Sequence, residues 1–204
     1  MVGKIFINGQ IGANDGEQGI NLIDVIRQVQ SQPQAESFEV LINSEGGYVD
    51  VGFDIYDYLR SLNKPITTIG VGLVASIATV IFMAGDTRKM KSGTQFMIHL
   101  PSGGVEGTAE DIQGYFEMLK EVEDKIVKFY TSNTTLTAEA IRPLLKSETW
   151  LNSEDALKFG FITEDEIHYT AVAKFEKLKT DNKMTNEDKS WIEEQFSKFT
   201  AIFA

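Results

Sequence analysis

Ser76 lies in the small-residue, largely apolar run GLVASIATVIFMAG (72–85). His99, one of only two histidines, follows it by 23 positions in MIHLP. A serine hydroxyl becomes a nucleophile when a base takes its proton, and imidazole is the side chain suited to that near neutral pH. The apolar run reads as a helix opened by Ser76. The hydroxyl would then sit near the positive end of the helix dipole, with the Ile77 N–H a free donor in the first turn. That arrangement suits a nucleophile whose product oxyanion is held by adjacent amides. Taken alone, though, a serine among Ala, Ile and Val is more often there to let helices pack closely, and its surroundings are not a G-x-S-x-G elbow. His99 closes the apolar strand segment FMI and precedes the Pro/Gly loop LPSGG. It suits the edge of a site as well as it suits a satisfied core histidine.

Two further stretches could complete such a site. In INSEGGYVDVG, Gly46 and Gly47 sit where a buried strand ends and a helix begins. Glycines there let the backbone approach a ligand and aim N–H groups at it. The plainer reading is a tight strand-to-helix turn. Glu148, in KSETWLNSEDA, precedes a tryptophan and a helix cap. In a chain of net charge -11, most acids are simply solvated. His168, in EIHYT, reads as a surface strand residue.

The elements that must position these residues alternate in period. KIFING (4–9), FEVLINS (38–44) and ITTIGVG (66–72) read as strands, the second buried along nearly its whole length. TRKMK and TQFMIH read as short strands. Between the first two, Ile20, Leu22, Ile23, Ile26 and Val29 recur at helical spacing until Pro33. Gly52, Ile55, Tyr56, Leu59 and Leu62 share one face of a second helix, which NKP stops. A long helix from Ala109 to about Asn133 carries Ile112, Phe116, Leu119, Val122, Ile126 and Phe129. LTAEAIRPLLKS and NSEDALKFG are short helices, the first kinked or shortened by Pro143. EIHYTAVAKF is a late extended segment. Strands alternating with helices imply β-α-β crossovers and a mostly parallel sheet with helices outside. Residues 1–177 form the main domain and 178–187 a polar linker. Residues 188–204 form an amphipathic docking helix striped by Ile192, Phe196, Phe199 and Phe203.

Composition narrows the function. A chain of 204 residues, 42% hydrophobic and 24% charged, suits one globular domain with a full core and a short appendage. The acidic balance argues against nucleic acid and against anionic membrane surfaces as partners. No apolar run is long enough to span a membrane, and MVGKIFINGQIG lacks a signal-peptide core. A cytoplasmic location is expected. The absence of cysteine excludes disulfides, thiolate catalysis and Cys-based metal sites. Two distant histidines argue against zinc. No cofactor or metal is expected.

Four motifs appear in order: NSEGG (43–47), GLVAS (72–76), MIH (97–99) and ETWLNSEDALKFGFI (148–162). Together they resemble the Clp protease proteolytic subunit family, whose usual forms are close to NSPGG, GxAAS, MIHQP and D-x-F-(M/L)-S-A-x-E-A-x-x-Y-G-(L/I)-(V/I)-D. The resemblance covers roughly residues 4–164 and includes the long helix, which looks like that family's handle. It implies a crotonase-like α/β superhelix of repeated β-β-α units. It also implies serine endopeptidase activity, with Ser76 as nucleophile, His99 as general base, Glu148 as the acid, and the N–H groups of Gly47 and Ile77 as the oxyanion hole. Polypeptide substrates would lie extended along Gly46, Gly47, Tyr48 and Val49. The implied assembly is a homo-oligomeric heptameric ring, with two rings stacking through their handles.

There are departures from the pattern. Glu45 replaces the usual proline, Glu148 fills the aspartate position, and the Ser–His spacing is about two residues short, a deletion placed near DTRKMKSG (86–93). The chain starts almost at its first strand, where relatives carry a segment that meets an ATP-driven unfoldase, so that partnership is not carried over. Short, Glu-bearing versions with ETWL and a trailing helix look like the phage and prophage branch assigned to prohead maturation, which would add capsid or scaffold proteins as partners. Two other readings are a capsid-assembly scaffold with a weak or inactive site, and a crotonase-type acyl-CoA enzyme.

Overall fold

The structure, a computed structural model, describes residues 1–13 and 19–164. The late extended segment, His168, the linker and the C-terminal stripe lie outside the described residues. So does the proposed boundary at 177.

Strands β1 (Val2–Asn8), β2 (Ser37–Ser44), β3 (Ile66–Ala75), β4 (Thr87–Met90), β5 (Gln95–Ile98) and β6 (Thr149–Leu151) form one sheet. Its order is β1-β2-β3-β5-β6. Every pairing is parallel except β5 with β6. One edge of β3 is shared: Thr67–Gly70 pairs with β4 and Leu73–Ala75 with β5. Side chains alternate strictly along β1, with Ile5 and Ile7 buried and Val2, Lys4, Phe6 and Asn8 exposed. Along β2 the core face is Phe38, Val40, Ile42 and Ser44, while Asn43 is exposed. The expectation that β2 is buried throughout is thus corrected: one face of the strand packs on the core and the other does not.

Helices α1 (Leu22–Gln30), α2 (Val49–Ser61), α4 (Ala109–Asn133), α5 (Ala138–Lys146) and α6 (Ser153–Phe159) stand where helices were expected, but the expected face of α1 is corrected: Val25 is its buried residue, Leu22, Ile26 and Val29 are half-buried, and Ile23 is 50% exposed. α5 continues through Pro143 to Lys146. Two expectations fail locally. The run 72–85 is not one helix: β3 extends through Ala75, Ser76 and Ile77 form a turn, and only Ala78–Phe82 (α3) is helical. Paired with β5, the small residues Val74 and Ala75 read as strand because the sheet supplies their hydrogen bonds. Strand β6 was not expected. Its three residues are too few to show a period, and it exists through pairing with β5.

Helix α4 opens with a reciprocal Thr108–Asp111 capping box. At 1.5 Å per residue, its 25 residues extend about 38 Å. Only Ile126, Val127 and Tyr130, near its C-terminus, are buried. Ile112 and Phe116 are 51% and 56% exposed, so the N-terminal half stands clear of the described domain. The base of α4 is fixed by aromatic edge contacts, with Tyr130 against Phe129 and Phe161, and Phe129 against Phe53 and Tyr56. Arg142 on α5 bonds Glu123 and Asp124, tying the two helices together outside the core.

At the other end of α2, Arg60 donates to the Ala84 carbonyl and to Asp86, and Asp86 accepts the Ile66 N–H. The Arg60 hydrogen bond holds the Asp86 carboxyl below its ordinary range. The start of β3 and the segment after α3 are thereby pinned together.

Candidate active site

Ser76 sits between the end of β3 and α3 with φ of 56°, a left-handed conformation that costs a non-glycine residue about 1–2 kcal/mol. Backbone bonds hold it there. Its N–H donates to the Met97 carbonyl on β5 (2.9 Å), and its carbonyl accepts from the Thr79 N–H (3.0 Å). The turn lifts Oγ toward β5, whose end carries His99. Nε2 of His99 lies 2.7 Å from Ser76 Oγ. The two residues expected to pair are therefore in hydrogen-bond contact, both half-buried. With the Nδ1–H tautomer, Ser76 donates its proton to Nε2, the arrangement a general base requires.

The expected placement of Ser76 at the head of a long helix is corrected. Helix α3 starts at Ala78 and has five residues, so its dipole is short. A helix this short adds little macrodipole at Ser76. This strand–turn–helix with a strained serine is the geometry a G-x-S-x-G motif would have announced, and here the sequence reaches it without that motif.

The glycine segment lies alongside. The Gly46 N–H donates to the Ser44 hydroxyl, the Gly46 carbonyl accepts from the Ile11 N–H, and the Tyr48 N–H donates to the Ile11 carbonyl. These three bonds clamp both flanks of Gly47. Among the described residues, neither the Gly47 N–H nor the Ile77 N–H donates to any acceptor of the protein. Ile77 follows Ser76 in the chain and Gly47 follows Gly46, which packs against Ser76, so these two unused donors are candidates for an oxyanion hole. Glycine is required at 46. Its φ is 101°, and a Cβ there would stand 2.6 Å from Ser76 Cβ. Gly46→Ala should displace the serine turn and lower kcat by roughly 10^2-fold or more, the scale reached when reacting groups move by about 1 Å. Steady-state kinetics on correctly assembled protein would measure it.

Beside Ser76 a small pocket is lined by Val49, Val80, Pro101, Ile126 and Tyr130. Its wall is apolar, so it suits an uncharged side chain next to the scissile bond. Val49 was expected to contact substrate. Val80, Ile126 and Tyr130 were not singled out, because their spacing marks them only as core-facing helix positions.

Glu148 has a φ of 49° and is exposed. The β5–β6 ladder ends at the Ile98–Thr149 pair, so His99 and Glu148 each lie one residue beyond it. No hydrogen bond joins them, and among the described residues neither the Glu148 carboxylate nor His99 Nδ1 has a partner. The structure thus brings Ser76 and His99 into contact, with Gly46 packed against the serine and Ile77 next to it in the chain, and shows no bond from Glu148 to the base. No group of three or more His, Asp or Glu side chains among the described residues is placed to hold a metal ion. No helix among them is long and apolar enough to cross a membrane.

Known proteins resemble this chain. The ATP-dependent Clp protease proteolytic subunit 2 of Pseudomonas aeruginosa is 27% identical over 165 residues, covering 80% of each chain. The protein of the same name from Thermobifida fusca is 29% identical over 162 residues, covering 78% of each. A solved ClpP1 mutant from Listeria monocytogenes superposes with a TM-score of 0.69 at 23% identity, over 80% of this chain and 90% of that one, a likeness of fold. The sequence model of the Clp protease family matches residues 2–168. With a serine and histidine in contact beside two free amides on this crotonase-like fold, the chain belongs to the Clp protease family and is a serine-type peptidase.

Proposed function

We propose that this protein is an endopeptidase that cleaves extended polypeptides through an acyl-enzyme on Ser76. The observation that carries the reading is the 2.7 Å contact between His99 Nε2 and Ser76 Oγ beside the unpaired Gly47 and Ile77 amides. Ser76 Oγ attacks the scissile carbonyl as His99 takes its proton, and the two amides receive the negative oxygen. Collapse breaks the C–N bond, and His99 delivers the proton to the departing amine. Water, deprotonated by His99, then attacks the ester and releases the acid and free Ser76. The chain on the acyl side lies along Gly46–Val49, bonded through its main chain. The apolar pocket receives one uncharged side chain.

Control of such a site comes from access, so the active form is a closed cytoplasmic ring of seven copies. The exposed Ile112 and Phe116 on the projecting half of α4 support stacking of a second ring through this helix. In the phage-related setting, the substrates are capsid and scaffold polypeptides. A scaffold with a weak site stays in view because Glu148 and His99 are not bonded. The acyl-CoA reading is set aside, since the family matched is a protease.

A fluorophosphonate probe separates protease from scaffold. The assembled protein should be modified stoichiometrically, with the adduct on the peptide containing Ser76. An assembled particle that resists labelling would establish the scaffold instead.

A further inference from the structure

Bonded to the Ser76 carbonyl lies a hydroxyl pair that the hydrolytic scheme does not use. Thr79 Oγ1 is 2.5 Å from the Ser76 carbonyl oxygen and 2.6 Å from Tyr130 Oη. Thr79 is fully buried and Tyr130 is 2% exposed. The direction of the chain follows by elimination. A carbonyl only accepts, so the single Thr79 hydrogen goes to Ser76. Thr79 Oγ1 must then accept from Tyr130, and the order is Tyr130 O–H to Thr79 O–H to the Ser76 carbonyl. Burial pushes the Tyr130 phenol up to about 12, so it keeps the proton it donates throughout the working range.

The carbonyl at the end of this chain belongs to the Ser76–Ile77 peptide. Its other pole is the Ile77 N–H, one of the two free amides beside Oγ. Three donors therefore converge on that plane or its flank: the Thr79 N–H and Thr79 hydroxyl on the carbonyl, and the Tyr130 hydroxyl through Thr79. Hydrogen bonds in series polarise one another, and in a buried setting the effect is larger than in water. The Ile77 N–H is held in orientation and made a stronger donor. The packing reading of Thr79 and Tyr130 does not account for this geometry. A valine and a phenylalanine would fill the same space without two buried hydroxyls, each of which is unfavourable to bury unless bonded.

We propose that Thr79 and Tyr130 are positioning residues that orient and polarise the Ile77 amide of the oxyanion hole, and that they couple it to the base of α4, where Ile126 and Tyr130 also wall the substrate pocket. This rests on Ser76 and His99 being the hydrolytic pair.

The test uses the full chain in its assembled form, a chromogenic peptide substrate, and a peptide aldehyde whose hemiacetal places an oxyanion between the two amides. Tyr130→Phe keeps the ring and removes one hydroxyl. It should lower kcat by about 3- to 10-fold, below the 10^2–10^3 lost with an oxyanion donor itself. KM should stay within about twofold, and aldehyde affinity should fall in step with kcat. Thr79→Val should lower kcat further, Thr79→Ser should restore it, and the double variant Thr79→Val/Tyr130→Phe should match Thr79→Val alone, because Tyr130 acts through Thr79. Should Thr79→Val fail to assemble, Tyr130→Phe and Thr79→Ser still decide. An active wild type whose Tyr130→Phe variant has unchanged kcat and aldehyde affinity overturns the relay. So does a variant whose loss appears only in KM. A wild type with neither turnover nor fluorophosphonate labelling overturns the hydrolytic reading, and the relay with it.

Discussion

Ser76→Ala is expected to lower kcat for peptide hydrolysis by about 10^6-fold, and His99→Ala by a similar factor, with the double variant no worse than either. The non-additivity follows from the geometry. The hydroxyl reacts only because Nε2, 2.7 Å away, can take its proton, so deleting either member removes the same step. Activity above water should survive at roughly 10^3–10^4-fold, supplied by the Gly47 and Ile77 amides and by substrate binding. KM should change little, since neither side chain is needed to hold an extended peptide against Gly46–Val49. Kinetics on particles of verified assembly state measure this. Retention of more than about one per cent of wild-type kcat in Ser76→Ala would mean that the serine is not the nucleophile.

The expected loss separates catalysis from scaffolding because Ser76 contributes little to the fold. The run around it is buried, but Ser76 itself is half-exposed, and its backbone bonds run through N–H and carbonyl groups that alanine retains. Ala78, Val80 and Ile81 carry the packing at this point.

How much of this was legible in the sequence differs by residue. The buried faces of α2 and the base of α4 were legible because burial imposes a period, and Ile55, Leu59 and Ile126 obey it, whereas on α1 the expected stripe missed the buried Val25 and included the exposed Ile23. Ser76, His99 and Gly47 were legible only as a set, since each alone has a packing explanation. The strand–turn–helix at 72–82 was misread because alanine, valine and isoleucine fit either structure. The choice was made by pairing with residues more than twenty positions away, such as Val74 with Phe96. The Thr79–Tyr130 bond joins positions 51 apart, and nothing in local spacing marks it. Strand β6 escaped for the same reason, and with it the register that leaves Glu148 and His99 each one residue beyond the same pair.

That register makes Glu148→Gln the second large expected effect. A triad base needs its Nδ1–H held and its imidazolium stabilised, and replacing the acid by an amide costs the serine-protease template about 10^4 in kcat. Glu148 and His99 each adjoin the last β5–β6 pair, Ile98–Thr149, and both have an unused bonding position among the described residues. Its φ of 49° is a conformation that glutamate rarely takes, so the backbone is constrained at the point where the acid should stand. The carboxylate is exposed and unbonded in the single chain, while His99 is held through Nε2 by Ser76 with Nδ1 left for the acid. Glu148→Gln should therefore lower kcat by about 10^4-fold in the assembled protein and slow fluorophosphonate labelling in proportion, because both reactions require the same tautomer. Glu148→Asp tolerates the positive φ but is one methylene shorter, and should recover only part of the loss. If Glu148→Gln instead labels and turns over at the wild-type rate, Ser76 and His99 work as a dyad, and the carboxylate at 148 has no part in orienting the base.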